Sequence, residues 1–287
     1  MNTIIFLSLV FIAIIVVIPF ILVKAFKNPV RPHEQTPCSE GQSPCQELWI
    51  PTKNKKKLYG WWLKGEKGKP VLILVHGWGR NASKMMPYIK HLHPLGYHLL
   101  IFDSRNHGKS DQDGYSSMVK FAEDIQAVID FAEQQFTLEH GLGLIGLSIG
   151  GAASVYAASK DSRVNAVVTV GAFANPEDVM KTRFLSKHIP YFPFIWLLFK
   201  FIEFRIKASF KKIAPENNIH RASADFLIIH GSKDDVVPPQ HAVRLAKAAR
   251  PKQAKLWMIE GKGHSNCHFE KGFWDTLHHF FSTHIPK

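Results

Sequence analysis

Residues 146–150 read GLSIG, between an apolar run at 142–147 and a stretch of small residues at 151–159. The run predicts a strand and the small residues predict a helix, so Ser148 lies where one turns into the other. Glycines lack a Cβ atom, which lets strand and helix pass close together and pushes the serine hydroxyl out of the sheet. A serine becomes a nucleophile only when it is exposed, is deprotonated, and has donors nearby for the oxyanion that it creates. The pentapeptide therefore predicts an exposed nucleophile, and the other groups of a catalytic site must lie elsewhere in the chain.

Around this stretch, apolar runs alternate with helical patterns. The clearest strand patterns are Val71–Val75, His98–Phe102, Leu142–Leu147, Val164–Val170, Phe226–Ile229 and Lys255–Ile259. The helical patterns are Met118–Gln135, Gly151–Ser159, Gln240–Ala249 and Cys267–Phe281. Strands that are apolar throughout and are separated by helices are typical of a parallel sheet covered on both faces. Glu47–Ile50 and Leu58–Leu63 precede these runs and predict an antiparallel pair at the sheet edge.

One segment breaks the alternation. Residues 173–221 form a long insertion between two strands and contain the aromatic run IPYFPFIWLLFKFIEFRI. The insertion either packs on the sheet or covers the active site as a lid, lined for an apolar substrate or facing a bilayer. A second transmembrane helix is disfavoured because Lys200, Glu203 and Arg205 interrupt the run.

Candidate functional groups follow four of the predicted strands. A glycine loop at 76–79 (HGWG) follows VLILV, and Ser148 follows LGLIGL. Asp234 follows FLII within HGSKDD, and His264 follows LWMI within GKGH. Functional groups gather at the carboxyl ends of strands in a doubly wound sheet, so we expect these four to converge.

These residues and their order resemble the α/β-hydrolase family, from about Glu47 to the end of the chain. The resemblance is carried by HGWG at 76–79, DSRNHGKS at 103–110, GLSIGG at 146–151, HGSKDDVVP at 230–238 and GKGH at 261–264. The chain is most similar to serine esterases, lysophospholipase-like enzymes and serine peptidases with a short cap, some of which carry an N-terminal membrane anchor. The resemblance implies an α/β fold with a mostly parallel, doubly wound sheet and a helical cap at about 173–221.

Each expected role has a chemical reason. Ser148 would attack a carbonyl carbon and form an acyl-enzyme. His264 would take its proton and pass it to the leaving group, since histidine ordinarily titrates near neutral pH. Asp234 would fix the imidazole tautomer and stabilise the imidazolium. The oxyanion would accept hydrogen bonds from the backbone N–H groups of Ile149 and, by resemblance, of Trp78.

Rival residues stand beside these candidates. Asp235 adjoins Asp234, but the family pattern places the acid four residues after the histidine of the HG pair, which favours Asp234. His268 lies four residues beyond His264, and we expect it on the final helix. Cys267 is interpreted as packing.

Other polar residues at strand ends have simpler interpretations. Histidines that precede a loop glycine are more often structural, so His76, His107 and His230 are not assigned to catalysis. Asp103 and Arg105 are expected to stabilise their own loop.

The N-terminus predicts a membrane anchor at 1–27, a proline-rich linker at 28–46 and the hydrolase domain at 47–287. Thr3 to Val23 carries no charge and is long enough to cross a bilayer as a helix. A cleaved signal peptide is the alternative, but a basic n-region and an A-x-A-like cleavage site are lacking.

The side of the membrane is predicted from charge. Lys24, Lys27 and Arg31 follow the span, which favours a single-pass protein with a cytoplasmic catalytic domain. A disulfide between Cys38 and Cys45 would instead require an oxidising compartment.

The charge balance bears on partners. The chain of 287 residues has 36 basic and 23 acidic residues, a formal charge of +13. Its basic residues are scattered without a nucleic-acid-binding motif, so we expect no nucleic-acid partner, and beside an anchor they would attract anionic lipid. No CxxC or HExxH spacing occurs, and we expect neither a metal nor a cofactor.

Together these features predict a membrane-anchored serine hydrolase that cleaves a lipophilic small-molecule or lipid ester, such as an acyl ester or a lysolipid. A serine peptidase on the same triad is the alternative within the enzyme class. A non-catalytic binding module on this fold is the alternative outside it. Dehalogenases and epoxide hydrolases are disfavoured because they place an aspartate where this chain has Ser148.

Overall fold

The computed structural model describes residues 31–38, 45–136, 138–185 and 190–285, together with Ile5 and Ser8. Within these residues the chain forms one eight-stranded sheet with helices on both faces. The strands are β1 (Cys45–Thr52), β2 (Lys56–Leu63), β3 (Val71–Val75), β4 (His98–Phe102), β5 (Leu142–Leu147), β6 (Val164–Val170), β7 (Asp225–Gly231) and β8 (Ala254–Ile259).

The sheet is mostly parallel. Its strand order is β1-β2-β4-β3-β5-β6-β7-β8. The first strand pairs antiparallel with β2, and β2 pairs antiparallel with β4, whereas all later neighbours are parallel. The predicted parallel sheet and its antiparallel edge pair are therefore confirmed.

The helices of the described residues are α1 (Met86–Leu92), α2 (Met118–Phe136), α3 (Ile149–Ala158), α4 (Pro176–Leu185), α5 (Trp196–Ile206), α6 (Phe210–Ile213), α7 (Gln240–Ala248) and α8 (Phe273–His284). Side chains alternate across a strand. Leu72 and Leu74 of β3 accordingly pack in a core with α1 and α8, while Ile73 and Val75 pack in a second core with α2, α3 and α7. Both faces of the sheet are thus covered, which is why β3 is apolar at every position.

The cap leaves the sheet after β6 and returns at β7, and these two strands pair directly with each other. Its inner residues Phe199, Phe210 and Ile213 are buried in the same core as α2 and α3. Its outer residues include Phe192 and Phe204, whose exposed fractions are 72% and 77%. The segment predicted as an insertion is therefore helical, with apolar side chains on both its buried and its exposed sides.

One helix prediction was wrong. The pattern at Cys267–Phe281 predicts a single helix, but residues Cys267–Phe269 form only a 3-10 turn and α8 begins at Phe273. Gly272, with φ 76°, precedes it in the left-handed conformation and separates the two pieces. His268 therefore lies in the turn and not on the final helix.

In the part of the chain that the structure describes, we find no helix with the length and apolar character to span a membrane. The predicted span at Thr3–Val23 falls outside the described residues except for Ile5 and Ser8. The membrane anchor therefore stays a prediction. The first strand begins at Cys45, within the stretch predicted as a linker.

Candidate active site

Ser148 lies in the sharp turn between β5 and α3. Its backbone has φ 53° and ψ −119°, a conformation that is rare for a residue with a side chain. Its N–H donates to the carbonyl of Val170 at the end of β6, at 2.8 Å. A Cβ added to Gly146 would lie 2.5 Å from the backbone of Gly150, and one added to Gly150 would lie 2.5 Å from the carbonyl of His76. The two glycines are therefore needed for close packing, as the sequence predicts.

The two predicted oxyanion donors flank this serine. Ile149 is the first residue of α3, and the N–H groups of a first helical turn have no partner within their own helix. Trp78 lies in the loop after β3, the strand beside β5. A Cβ added to Gly77 would lie 3.6 Å from the Ser148 Cβ, so the two loops are adjacent. This is also where the chain order reverses, from β3 to β4 on one side and to β5 on the other.

Asp234 and His264 are joined across the ends of β7 and β8. His264 Nδ1 lies 2.7 Å from Asp234 Oδ2, and the aspartate side chain is fully buried. Asp234 Oδ1 accepts the N–H groups of Val236 and Val237, at 3.0 and 2.8 Å. The acid is thus held from both sides by its own loop and by the imidazole.

The ionisation of Asp234 follows from these contacts. Burial on its own raises the pKa of the carboxyl, but hydrogen bonds from His230, His264 and the Val237 N–H outweigh it and hold the pKa well below its usual value. His230 Nε2 lies 3.1 Å from Asp234 Oδ2 and 2.8 Å from the Val237 carbonyl. Asp234 is therefore a carboxylate at neutral pH, and the buried ring of His230 donates a hydrogen bond to it.

Gly171 fills the space between the serine loop and the acid–histidine pair. It has φ 66°, and its N–H donates to Ile229 on β7 at 3.0 Å. A Cβ added here would lie 3.1 Å from His264 Nδ1 and 3.5 Å from Asp234 Oδ2. Gly171 was not among the site residues predicted from the sequence. Its position directly after an apolar strand, VNAVVTV, is the signal that marks it.

The buried histidines near the site make structural hydrogen bonds. His76 Nε2 accepts the Ser104 N–H at 3.0 Å, so its proton is on Nδ1, which donates to Gly77 at 2.8 Å. His107 bridges the carbonyl of Arg105 and the N–H of Gly79. Burial, followed by the charge of nearby His76, lowers the pKa of His107 to about 3. These contacts agree with the structural roles expected for both histidines.

The polar loop after β4 contains two buried charged residues, Asp103 and Arg105, that hold it in place. Asp103 accepts the N–H groups of Ala82 and Lys109, at 2.7 and 2.8 Å. Arg105 is buried and forms an ion pair with Asp124 at 2.6 Å. Both residues thus stabilise their loop, as expected.

The rival residues occupy different surroundings. Asp235 is exposed, whereas Asp234 is buried and bonded to His264. Cys267 is buried, and burial is the main cause that raises the pKa of its thiol to about 11. Such a thiol is protonated at neutral pH and is a poor nucleophile. Within the described residues there is no group of three or more His, Cys, Asp or Glu side chains suited to a metal ion.

A cavity of about 1090 Å³ opens over these groups. Ser148, Ile149, Trp78 and His264 all line it, so the structure brings the predicted residues to one place. One wall is formed by apolar side chains of the cap, including Val179, Met180, Phe184, Ile202, Ile206 and Phe210. The lining also includes the polar residues Glu34, Gln35, Arg80, Ser83 and Lys84, and Met86, Pro87 and Tyr88 of α1.

Comparison with known proteins identifies the architecture. Residues 70–197 match the family model described as the α/β-hydrolase fold. The matched residues include β3 to β6 and the glycine-flanked turn at Ser148. The chain has the α/β-hydrolase fold.

Solved proteins with the α/β-hydrolase fold include esterases. An esterase of Pyrococcus furiosus, Pf2001, superposes with a TM-score of 0.72 at 20% identity, over 90% of this chain and 98% of that one. Est1E of Butyrivibrio proteoclasticus, solved with ferulic acid, superposes with a TM-score of 0.67 at 21% identity, over 83% and 98%. The membrane protein YNL320W of Saccharomyces cerevisiae is 26% identical over 87% of this chain and 84% of its own length.

Besides Gly171, sequence patterns missed a second part of the site. Glu34 and Gln35 line the cavity although they fall in the stretch predicted as a linker. They precede the first strand of the α/β-hydrolase fold, and no motif marks them. Their placement depends on contacts with residues far along the chain, which periodicity does not reveal.

Proposed function

We propose that this protein is a serine hydrolase that cleaves a carboxylic ester through an acyl-enzyme on Ser148. One observation carries the proposal. His264 is hydrogen-bonded to the buried carboxylate of Asp234, and it lines the same cavity as Ser148, which lies in a strained turn. A strained nucleophile turn, an oriented base and a substrate-sized cavity are what acyl transfer requires.

The geometry supports the following sequence of steps. Because His264 Nδ1 is bonded to Asp234, its Nε2 is the nitrogen that takes the Ser148 proton as Oγ attacks the ester carbonyl. The oxyanion then accepts hydrogen bonds from the N–H groups of Ile149 and Trp78, each worth about 3 kcal/mol in the transition state. His264 gives the proton to the alcohol as the C–O bond breaks. A water molecule then attacks the carbonyl carbon of the acyl-enzyme while His264 takes its proton. His264 returns this proton to Ser148 Oγ as the carboxylic acid leaves.

The cap supports a lipophilic acyl group. Its wall of the cavity is apolar, and long acyl chains gain about 0.8 kcal/mol for each CH₂ group buried. Esterases among the structural neighbours are consistent with an ester substrate, though at their low identity they share the fold alone. An acyl ester or a lysolipid is therefore the proposed substrate class.

Membrane attachment belongs to the same proposal. The apolar stretch at 3–23 would anchor the chain, and the exposed aromatic side chains of the cap would face lipid. The two indications of sidedness oppose each other. The basic residues after the span predict a cytoplasmic domain, while the Cys38–Cys45 disulfide favours an oxidising compartment. Digestion of sealed, inverted vesicles decides between them, because protection from added protease would exclude the cytoplasmic side.

The proposed function is tested by labelling with a fluorophosphonate probe. We expect the wild type to be labelled and Ser148→Ala to be unlabelled, while Ser282→Ala, an exposed serine on α8, is labelled like the wild type. Folded protein without Ser148-dependent labelling would overturn the proposal. A panel of p-nitrophenyl esters, lysolipids and peptide amides then tests the bond class, and faster turnover of amides than of esters would exclude the esterase assignment.

A further inference from the structure

Residues 31–38, which we call the strap, precede the first strand and pack on the catalytic domain. Asn81 Nδ2 donates to the carbonyls of Arg31 and Pro32, at 3.1 and 3.0 Å. The Glu34 N–H donates to Ser83 Oγ at 3.3 Å. The strap is thus fixed along the 3-10 turn that follows β3.

His33 anchors the middle of the strap. Its side chain is 6% exposed, and its Nε2 lies 2.9 Å from Oδ2 of the buried Asp103. Its ring centroid lies 5.3 Å from that of Tyr59 and 5.0 Å from that of Trp61. An inserted, hydrogen-bonded ring of this kind specifies one position for the strap on the domain.

The end of the strap is covalently fixed. Cys38 is bonded to Cys45, the first residue of β1, with their Cα atoms 5.0 Å apart. The strap is therefore tied to the sheet at one end and hydrogen-bonded along its length. It is a wall of the domain.

Two strap residues reach the substrate cavity. Glu34 and Gln35 line it beside Ser83 and Lys84. Glu34 Oε2 lies 2.7 Å from Lys84 Nζ, and this hydrogen bond, followed by the charge of Lys84, lowers the pKa of Glu34. The strap thus presents an ionised carboxylate and an amide to whatever occupies this half of the cavity.

This half of the cavity adjoins the loop of His264. The 3-10 turn beneath the strap leads into α1, where the Tyr88 ring lies 5.2 Å from Trp274. His268, in the turn after His264, lies 6.4 Å from the same Trp274 ring. Since His264 must return its proton to the departing alcohol, the alcohol belongs on this side and the acyl chain belongs under the cap.

We propose that the strap is a specificity element that forms the alcohol-binding half of the substrate cavity. The proposal rests on the proposed function for which part of the substrate is the alcohol. It narrows the substrate to an amphiphilic ester, with an apolar acyl chain against the cap and a polar, hydrogen-bonding alcohol against Glu34, Gln35 and Lys84. The Cys38–Cys45 disulfide holds this wall in place.

The test compares two esters that share an acyl chain, 1-decanoylglycerol and ethyl decanoate, on the full chain in detergent. In Glu34→Ala/Gln35→Ala, kcat/KM for the glycerol ester should fall about tenfold through the lost hydrogen bonds, while that for the ethyl ester should stay within about twofold. Glu133→Ala is the matched control, because Glu133 is also an exposed, ion-paired glutamate but lies on α2, away from the cavity. Equal losses on both esters, or none on either, would overturn the proposal.

The disulfide is tested in the same assay. Cys38→Ser/Cys45→Ser should lose the preference for the glycerol ester, and a reductant should reproduce this loss in the wild type without further effect on the double variant. An unchanged preference after reduction would show that the disulfide does not hold the wall.

Binding separates this inference from the proposed function. Calorimetry with 1-O-decylglycerol, an ether that cannot be hydrolysed, should show about tenfold weaker binding to Glu34→Ala/Gln35→Ala than to the wild type or Glu133→Ala. Unchanged binding would overturn the strap proposal even if Ser148-dependent hydrolysis is observed. Weakened binding without any hydrolysis would show that the strap binds the polar head of the ligand, and would overturn both the proposed function and the assignment of that head as a leaving alcohol.

Discussion

The cavity has two sides that are built in different ways. Its floor consists of the loops at the carboxyl ends of β3, β5, β6, β7 and β8. The cap and the strap supply walls around this floor, and we call them together the roof. In the floor, polar groups are buried and bonded, as the fully buried Asp234 side chain shows. In the roof, apolar side chains such as Phe204 remain largely exposed.

Because of this difference, we expect the floor to determine the reaction rate and the roof to determine which substrate is preferred. Floor residues hold fixed positions because backbone hydrogen bonds link neighbouring strand ends, such as that from Ser148 to Val170 and that from Gly171 to Ile229. Roof residues supply shape, apolar area and charge, and many side chains could supply these. We therefore expect substitutions in the floor to change rates greatly and those in the roof to change substrate preference modestly.

The largest loss of catalytic rate is expected for a substitution of Asp234. Asp234→Asn keeps the shape of the side chain but removes the charge that orients and stabilises the His264 imidazolium, so kcat should fall about 10⁴-fold. The neighbouring Asp235→Asn is the control and should stay within about twofold of the wild type, because Asp235 is exposed. Steady-state hydrolysis of a p-nitrophenyl ester measures both. A greater loss in Asp235→Asn would reverse the assignment of the acid.

A smaller loss of catalytic rate is expected for a substitution of Gly171. In Gly171→Ala the added methyl group would press on His264 at 3.1 Å and displace the imidazole, and misplacement of a reacting group by about 1 Å costs about 10²-fold in rate. Gly68→Ala controls for backbone strain, because Gly68 also has a positive φ but an added Cβ there meets nothing within 4 Å.

The pH profile of kcat/KM distinguishes positioning from general destabilisation. Gly171→Ala should alter the profile, because its methyl group contacts the base, while Gly68→Ala should lower only the melting temperature. Identical kcat/KM values and profiles for the two variants would contradict a positioning role.

The third expected effect is on the stability of the protein in acid, through His107 in the loop after β4. His107 has its pKa lowered to about 3, while an unfolded histidine has a pKa of about 6.5. Between these values the unfolded chain binds more protons, so the free energy of unfolding falls as the pH falls, by up to about 1.4 kcal/mol per pH unit. His107→Gln removes this contribution and should flatten the slope by that amount.

Urea unfolding at a series of pH values measures this slope. Above about pH 7.5 the histidine is neutral in both states, so the difference between His107→Gln and the wild type should be constant there and serves as the internal control. Equal slopes in acid would show that His107 does not contribute to acid sensitivity.

The smallest effect is expected on the outer surface of the roof. Leu197→Ser/Phe204→Ser removes two exposed apolar side chains of the cap and should raise KM for a micellar ester only about threefold to tenfold. A monomeric short-chain ester should be hydrolysed as by the wild type. Leu95→Ser is the control. Leu95 is as exposed as Leu197, but it precedes β4 at the amino end of that strand, whereas the cavity lies at the carboxyl ends. Equal effects of the cap and control variants would argue against contact of the cap with lipid.

The floor and the place of the cap in the chain were largely predictable from the sequence, and the strap was not. Buried parallel strands are apolar throughout and end at glycines and polar residues, so Val71–Val75 and Leu142–Leu147 were placed at their observed bounds. Ser148, Asp234 and His264 each follow such a strand, which is why their convergence could be expected. Helix α1 was missed because its seven residues give too short a periodic pattern.

The strap shows why long-range contacts escape such patterns. His33 meets Asp103 across 70 residues, and the proline-rich stretch around it has the composition of a linker. Burial of a single histidine on a distant carboxylate leaves no periodic trace. Gly171 is a similar case, since its role depends on two loops that reach it from other strands.

The direct pairing of β6 with β7 bears on how the sequence of such a protein can evolve. The cap begins and ends at neighbouring strands, so its two ends stay fixed whatever lies between them. Doubling the length of a flexible connection costs only about 0.6 kcal/mol in closure entropy. Segments of other lengths could therefore be exchanged at this point while the hydrolytic groups keep their places. The same chemistry could in this way acquire a new range of substrates through insertion or deletion at one junction.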